Sequence, residues 1–271
     1  MSQLSHIDYR VLESTLPWKT VTVMAWVHGN EKSGIVILEE LADTLQIVQW
    51  KVHLILRANP HAISANKRHT EKNMNRAFHD IPEWSSYEDL RAQELIPILQ
   101  ESDLLLDVHN TLNTENSIPF LISEHLEWNK YFPVDRAVGW LDILHPGGSD
   151  GYMNSIGNKW LCIEAWSIHF DDQWALARKA IMNFLRATGN IAWPTEVYSG
   201  QEYYILDRII KAKTSNFRFI KPWLDFEKVT EWELIAHDDG ESIYAPCDGV
   251  IVFRHETRNI GDEMCVFGQL K

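Results

Sequence analysis

Short apolar runs recur along the first two-thirds of the chain, and each run is broken by polar residues, glycine or proline. The runs are rich in aliphatic residues and lack a polar face, which is typical of strands that are buried on both sides of a sheet. Strands are therefore predicted at residues 21–27, 52–57, 103–108, 118–123 and 160–165.

Stretches with a helical period lie between these runs. Helices are predicted at residues 33–45, at residues 87–99 and from Asp171 or Asp172 to Thr188. Pro97 is expected to bend or end the second helix, and Gly189 is expected to stop the third. The alternation of strand and helix predicts an α/β fold with a mainly parallel or mixed β-sheet flanked by helices on both faces.

The pattern changes near Pro194, where shorter alternating runs with proline and glycine between them begin. This pattern is typical of a small β-domain. We expect two domains, a catalytic domain at residues 1–192 and a β-rich C-terminal domain at residues 193–271. One segment, A-P-C-D-G-V-I, resembles a hairpin of lipoyl and biotinyl carrier domains, but residues 253–261 contain no lysine to carry such a group. A structural role is therefore expected for this region.

Composition narrows the functional class. The chain has 271 residues, of which 45% are hydrophobic, and this is enough for a large core. A formal net charge of −13 disfavours nucleic acid as a partner, although a local arginine cluster could still bind an anionic substrate. No apolar run is long enough to span a membrane, and the N-terminal residues lack the pattern of a secretory signal. We expect a cytoplasmic protein with three buried, reduced cysteines.

Candidate metal ligands follow two of the predicted strands. His28 and Glu31 lie in the turn V-H-G-N-E directly after the first strand, and His109 ends the strand in D-V-H-N-T. Two histidines and one glutamate are the protein ligands of a common type of catalytic zinc site, which leaves a fourth position for water. The spacing H-x-x-E alone is a weak signal, because a surface pair or a capped turn has the same pattern. The second histidine at a strand end completes this set of ligands for one zinc ion per chain.

Glu164, in L-C-I-E-A-W, is the candidate proton acceptor. It lies at the end of an apolar strand, where a charged side chain is unexpected unless it faces a cleft. Hydrolysis assisted by zinc needs a carboxylate near the metal that accepts a proton from water and passes it to the leaving amine. The alternative is a buried glutamate that pairs with an arginine for structural reasons.

The order of these motifs resembles that of the succinylglutamate desuccinylase and aspartoacylase family, in the wider zinc carboxypeptidase superfamily. H-G-N-E is followed by Asn59-Pro60, an arginine, N-M-N-R-A-F at residues 73–78, D-V-H-N-T and a late glutamate. The resemblance runs from about residue 21 to the C-terminus. It implies a zinc-carboxypeptidase-like fold and a zinc-dependent amidohydrolase.

The resemblance also implies roles for residues in the polar loop. Arg68 matches the arginine that stabilises the carbonyl oxygen in the transition state, and Asn75 and Arg76 match the pair that binds a substrate carboxylate. Glu164 matches the catalytic glutamate. The alternatives are a solvated loop arginine for Arg68 and a salt bridge that fixes the loop for Asn75 and Arg76.

The chain departs from the family pattern at several positions. Asn73 stands where the family usually has aspartate, and Trp166 stands where the catalytic glutamate is usually followed by glycine. A further arginine that holds a second substrate carboxylate is missing, with Asn154 near the equivalent position. Lys159 or Arg136 is a candidate substitute, and Tyr244 is a weak candidate for a substrate contact.

The sequence thus predicts a zinc-dependent enzyme that removes the acyl group from a small-molecule N-acyl amino acid. A carboxypeptidase or amidase acting on a short peptide or a peptidoglycan-type amide is the close alternative. A non-catalytic binding protein that kept the fold is disfavoured, because the whole set of site residues is present. The sequence does not decide between a monomer and a homo-oligomer.

Overall fold

A computed structural model of the protein describes residues 8–31, 33–79, 86–111, 118–167, 173–255 and 259–271. Its helices are α1 (Ser33–Thr44), α2 (Pro60–Ala65), α3 (Tyr87–Gln100), α4 (Leu126–Asn129), α5 (Leu141–Leu144), α6 (Ser149–Ser155) and α7 (Gln173–Ala187). Its strands are β1 (Tyr9–Glu13), β2 (Val21–Ala25), β3 (Lys51–Ile55), β4 (Leu104–Thr111), β5 (Phe120–Ile122), β6 (Arg136–Gly139), β7 (Lys159–Ser167), β8 (Glu202–Lys211), β9 (Arg218–Phe219), β10 (Glu227–Val229), β11 (Leu234–Asp238), β12 (Glu241–Tyr244), β13 (Gly249–Val252) and β14 (Glu263–Leu270).

The predicted strands and helices of the first two-thirds are confirmed as β2, β3, β4, β5 and β7 and as α1, α3 and α7. Pro97 lies in the last turn of α3, which continues to Gln100. Proline has no backbone N–H to donate to the carbonyl four residues earlier, and the helix ends within one turn of it. Gly189 has a φ of +82°, the left-handed conformation that commonly ends a helix. The predicted caps, Asp171 and Asp172, lie outside the described residues.

Among the described residues, the strands form a large mixed sheet and a small one. The large sheet has the order β1-β3-β2-β4-β7-β5-β6-β8-β14-β13-β10, and the small sheet has the order β12-β11-β9. Strands β2 and β4 are buried along their whole length, as their apolar sequences predict. One face of the sheet shares a buried cluster with α1 and α7, and the other face shares a cluster with α3. The predicted mixed sheet flanked by helices is confirmed.

The C-terminal region is β-rich, as predicted, and it contains the small three-stranded sheet. Its remaining strands extend the large sheet, because β8 pairs with β6 in parallel and β14 pairs with β8 antiparallel. The division at residue 192 stays a prediction.

The three cysteines are free: Cys162 and Cys265 are buried, and Cys247 is half-buried. Within the described ranges, no helix is both long and apolar enough to cross a membrane.

Three parallel strands position the candidate site. β2 pairs with β4 and β4 pairs with β7, so the carboxyl ends of all three meet at one edge of the sheet. Open α/β sheets usually bind their ligands at this edge. The register places His109 on β4 directly beside Glu164 on β7. The candidate metal ligand and the candidate base are therefore neighbours, although 55 positions separate them in the sequence.

Candidate metal and substrate site

His28, Glu31 and His109 form one buried cluster. Their side-chain ligand atoms all lie within 4.8 Å of one another. The three residues are only 2–3% exposed, and Glu31 lies between the two histidines. Its Oε1 is 2.8 Å from His28 Nδ1, and its Oε2 is 2.9 Å from His109 Nδ1.

The turn between β2 and α1 brings the first two residues together. The backbone N–H of Glu31 donates to the carbonyl of His28 at 3.1 Å, which closes the turn. Gly29 allows helix α2 to approach, because a side chain there would come 2.0 Å from the backbone carbon of Ala62. No residue with a Cβ fits that space, which explains the glycine in H-G-N-E.

The outer nitrogen of each imidazole faces a polar side chain. His28 Nε2 lies 3.0 Å from Asn73 Oδ1, and His109 Nε2 lies 3.2 Å from Asp107 Oδ2. Asp107 Oδ2 also accepts a hydrogen bond from the Ser149 hydroxyl at 2.8 Å. A hydrogen-bonded partner fixes the orientation and tautomer of an imidazole that binds a metal through its other nitrogen. His28 makes such a bond to Asn73, whereas His109 Nε2 lies close to Asp107 without hydrogen-bond geometry. The Nδ1 atoms of both histidines are thereby directed to Glu31.

Burial and charge set the protonation of this cluster. Burial, reinforced by the positive charge of Arg68, lowers the pKa of His28 to about 4. Burial alone would also lower the pKa of His109, but the carboxylates of Asp107 and Glu31 raise it well above its usual value. Burial would raise the pKa of Glu31, but the two imidazoles hold it well below its usual value. The ionised carboxylate is suited to bind a metal, and a metal on His109 would displace a proton.

These residues fit a metal ion. Nδ1 of His28 is buried and makes no hydrogen bond with suitable geometry among the described residues, although it lies close to Glu31. A buried polar atom without a partner is costly unless a ligand satisfies it. Two imidazoles and a carboxylate at this separation match the ligands of a catalytic zinc site with one open position.

Glu164 is 8% exposed and has one carboxylate oxygen, Oε2, without a hydrogen-bond partner among the described residues. Burial, opposed by the positive charge of His109, raises the pKa of Glu164 to about 8. A dication bound beside it would favour the ionised form. The position beside His109 and the unpaired oxygen suit a group that accepts and donates a proton.

These residues face a cavity of about 700 Å³. Its lining includes all the sequence-predicted site residues except the buried Glu31: His28, Arg68, Asn75, Arg76, His109 and Glu164. Arg68 donates from Nη1 to Glu31 Oε1 at 3.0 Å. Arg76 donates to the backbone carbonyl of Asn75 at 2.6 Å and makes no ion pair among the described residues. Its guanidinium is therefore available to a carboxylate in the cavity.

Glu88, which is fully buried, holds the loop that carries Asn75 and Arg76 in place. Glu88 Oε1 accepts hydrogen bonds from the backbone N–H and the hydroxyl of Thr70, both at 2.7 Å, and Oε2 accepts from the N–H of Lys72 at 3.2 Å. Burial alone would raise the pKa of Glu88, but these hydrogen bonds hold it below its usual value.

We expect Glu88→Gln to lower the free energy of unfolding by about 2–4 kcal/mol at neutral pH. The reason is that the NH₂ group of glutamine cannot accept the hydrogen bonds that one carboxylate oxygen accepts from the loop N–H groups. The pKa of Glu88 is lower in the folded state than in the unfolded state, where it is roughly 4.3. Ionised Glu88 therefore stabilises the fold at pH values above roughly 4.3, and this stabilisation is lost as the pH falls through the folded-state pKa. Urea unfolding should therefore show a difference between wild type and variant that shrinks below about pH 4. Glu101→Gln, at an exposed carboxylate on the end of α3, is the control. An equal loss in both variants would contradict this role of Glu88.

The candidates for a second carboxylate-binding group and for a further substrate contact do not line the cavity. Lys159 pairs with Glu127 and Arg136 pairs with Glu202, and neither lines the cavity. Asn154 donates to Asp142 at 2.7 Å. Tyr244 is 48% exposed on β12, and it does not line the cavity either. The side chain of Trp166 lies outside the described part of the structure.

Two further segments contribute to the cavity and were not predicted. One is H-P-G-G-S-D-G at residues 145–151, and the other consists of residues 253–255 after β13 and residues 262–263 at the start of β14. Their lining residues are His145, Gly148, Ser149, Asp150, Phe253, Arg254, His255, Asp262 and Glu263. The C-terminal region thus forms part of a cavity wall, which the expected structural role did not include. The density of polar residues in both segments was the available signal.

The model of the succinylglutamate desuccinylase/aspartoacylase catalytic domain matches residues 17–164, which include every candidate ligand and catalytic residue. The probable aspartoacylase of Nostoc sp. is 30% identical over 102 residues, 34% of this chain and 35% of the relative. The N-alpha-acetyl-L-2,4-diaminobutyric acid deacetylase of Halomonas elongata is 33% identical over 108 residues, 37% of this chain and 31% of the relative. The chain thus matches about a third of the length of these curated relatives.

Solved structures extend the similarity of the fold to almost the whole chain. The crystal structure of succinylglutamatedesuccinylase/aspartoacylase from Rhodobacter sphaeroides aligns with a TM-score of 0.78 at 19% identity. The alignment covers 97% of this chain and 89% of that one. At this identity, the similarity shows the fold.

Proposed function

The chain belongs to the succinylglutamate desuccinylase/aspartoacylase family, and on this premise we propose that it is a zinc-dependent amidohydrolase that removes the acyl group from an N-acyl amino acid. The names of the two relatives, an aspartoacylase and a deacetylase of an N-acetylated amino acid, support this reaction class. The observation that carries the proposal is the buried cluster of His28, Glu31 and His109 beside Glu164 in one cavity.

His28, Glu31 and His109 would hold one zinc ion per chain. When bound, zinc supplies Lewis acidity, which activates a water molecule and polarises the amide carbonyl. Asn73 and Asp107 keep the two imidazoles in the orientation that directs Nδ1 to the ion.

Glu164 would move the proton. Its unpaired Oε2 accepts a proton from the attacking water and gives it to the nitrogen as the C–N bond breaks. Water thereby adds to the acyl carbon, and the products are a carboxylate and the free amine of the amino acid. The burial of Glu164 keeps bulk water from competing for the proton.

The two arginines would have different roles: Arg68 would stabilise the transition state, and Arg76 would bind the substrate. Arg68, close to the ligand cluster, would stabilise negative charge that develops on the carbonyl oxygen. Asn75 and Arg76 would bind the carboxylate of the amino acid, because a guanidinium matches the two oxygens of a carboxylate. A chain with a net charge of −13 needs such a local cation to hold an anionic group.

The carboxylate requirement gives a direct test. We expect an N-acyl amino acid to have a higher kcat/KM than its methyl ester, by about 2–5 kcal/mol of transition-state stabilisation. The reason is that the ester leaves the half-buried Arg76 without a carboxylate partner. Arg76→Lys should raise KM strongly, since lysine keeps the charge but loses the bidentate match. Arg178→Lys is the matched control, because Arg178 pairs with Glu40 at the surface.

Equal turnover of acid and ester would remove the carboxylate contact from this account and favour a general amidase. Faster hydrolysis of dipeptides than of N-acyl amino acids would favour the carboxypeptidase alternative.

A further inference from the structure

Residues 145–148 connect the C-terminal region with the turn that would bind the substrate carboxylate. At one end of this segment, His145 Nε2 lies 3.2 Å from Oε1 of Glu263, the first residue of β14. At the other end, the carbonyl of Gly147 accepts a hydrogen bond at 2.9 Å from the backbone N–H of Phe78, two positions after Arg76. The segment therefore joins two parts of the chain that are far apart in the sequence.

Gly147 packs directly on the backbone of Arg76. A methyl group placed at Gly147 would lie 3.1 Å from the carbonyl carbon and the carbonyl oxygen of Arg76. Gly147 also has a φ of +90°, a conformation that favours glycine. At so short a distance, a shift of residues 145–148 changes the support of the Arg76 turn.

The guanidinium of Arg76 depends on this support. Arg76 is half-buried and ends the short 3₁₀ helix Met74–Arg76. Its side chain donates to the backbone carbonyl of Asn75, and it forms no ion pair of 4 Å or less with a described residue. Helices of this type are short and have poor hydrogen-bond geometry. The position of the guanidinium therefore follows from the position of the turn.

Glu263 is a suitable anchor for the other end of the segment. It pairs with Lys211 of β8 within the large sheet, so its backbone belongs to a rigid element. Burial alone would raise the pKa of Glu263, but the hydrogen bond from His145, together with nearby positive groups that include Arg76, holds it below its usual value. The ionised carboxylate accepts a charge-assisted hydrogen bond, which is stronger than a neutral one.

We propose that His145 and Glu263 are positioning residues for Arg76. Their hydrogen bond fastens residues 145–148 to the large sheet, and these residues hold the Asn75–Arg76 turn in the orientation that binds the substrate carboxylate. The C-terminal region thereby acts on substrate binding through Arg76. This inference rests on the proposed function. A preorganised binding group needs less ordering when the ligand arrives, so loss of the link should weaken binding more than it slows the chemical step.

His145→Ala tests the link in the zinc-loaded protein. The probe is N-acetyl-L-alanine, whose only charged group is the carboxylate. We expect KM to rise about tenfold and kcat to change by less than about twofold. His145→Gln should restore KM to within about threefold of wild type, because its NH₂ group can still donate to Glu263. The control is His237→Ala, at an exposed position on β11 that does not line the cavity.

Two further measurements separate positioning from a general loss of stability. In a Glu263→Ala background, adding His145→Ala should change KM by less than about twofold, because the link is already broken. Amide hydrogen exchange at Phe78, whose acceptor is the carbonyl of Gly147, should be about tenfold faster in His145→Ala than in wild type. Exchange in the buried strand β4 should stay unchanged.

An unchanged KM in His145→Ala would overturn the proposal, as would an equal effect of His145→Ala with and without Glu263. An equal rise of KM in His145→Gln would also overturn it. If His145→Ala does not fold, Gly147→Ala decides, because its methyl group should displace the Arg76 turn and raise KM while zinc stays bound. A wild-type KM in that variant would contradict the proposal.

The exchange measurement needs neither substrate nor turnover, so it separates this inference from the reaction. Faster exchange at Phe78 in His145→Ala, with no hydrolysis of any N-acyl amino acid by wild type, would refute the reaction and retain the link. Hydrolysis by wild type with unchanged KM and unchanged exchange in His145→Ala would retain the reaction and refute the link.

Discussion

Replacing Glu164 by glutamine is expected to lower kcat by about 100-fold or more, while the zinc content and the fold stay unchanged. Glutamine has nearly the same shape, but it cannot accept the proton of the attacking water. The buried position of Glu164 also means that no bulk water replaces it easily. Steady-state kinetics, metal analysis and thermal unfolding of the same preparation measure the three quantities together.

Glu127→Gln provides a matched control, because Glu127 pairs with Lys159 at the surface and should be replaceable without loss of activity. Glu164→Gln also removes the cost of burying a carboxylate whose pKa is raised to about 8, so the variant should be at least as stable as wild type in the metal-free state. Hydrolysis by Glu164→Gln at the wild-type rate would show that this glutamate is structural.

His109→Ala is expected to lower zinc affinity by at least about 100-fold. Loss of a residue that only hydrogen-bonds a metal ligand typically lowers metal affinity about 10–100-fold, and loss of a ligand itself should cost no less. The zinc content of the purified protein should fall from about one ion per chain to a small fraction. The substitution also leaves the buried carboxylates of Asp107 and Glu31 without their common partner, which adds a loss of stability.

His53→Ala is the matched control, since His53 is equally buried, at 2% exposed, but lies on β3 outside the cluster. It should retain the zinc. Full zinc occupancy in both His28→Ala and His109→Ala would show that the metal, if present, is bound elsewhere.

The sequence was sufficient for the parts of the fold that follow from local patterns. The strands β2, β4 and β7 are apolar along most of their length, and their order with the helices predicted the mixed sheet. The candidate ligands were recognisable for the same reason, because a charged or imidazole side chain at the end of an apolar strand is unusual.

The walls of the cavity could not be predicted, because tertiary contacts determine them. Asp150 approaches the Asn75–Arg76 turn only because the two glycines before Ser149 pack on that turn. Glu263 reaches the same cavity through the pairing of β14 with β8. The polar residues near both are a local signal, but they do not show that the two segments meet at one cavity.

Asn73 stands where the family usually has aspartate, and its contacts show what an asparagine can do at this position. Its Oδ1 lies 3.0 Å from His28 Nε2 and also accepts a hydrogen bond from the backbone N–H of Asn75 at 3.0 Å. One amide oxygen thus connects a candidate metal ligand with the turn that would bind the substrate. Asparagine can make both contacts, although it carries no charge to strengthen the basicity of the imidazole.

The decisive measurement of zinc dependence is hydrolysis of N-acyl amino acids by one preparation in three states: as purified, after chelation, and after zinc is restored. A zinc-dependent amidohydrolase should release the free amino acid when it is loaded with zinc, lose this activity when the metal is removed, and recover it at about one equivalent of zinc. Activity that persists in fully metal-free protein, or a zinc-loaded protein that releases no amino acid from any member of a broad panel, would contradict it.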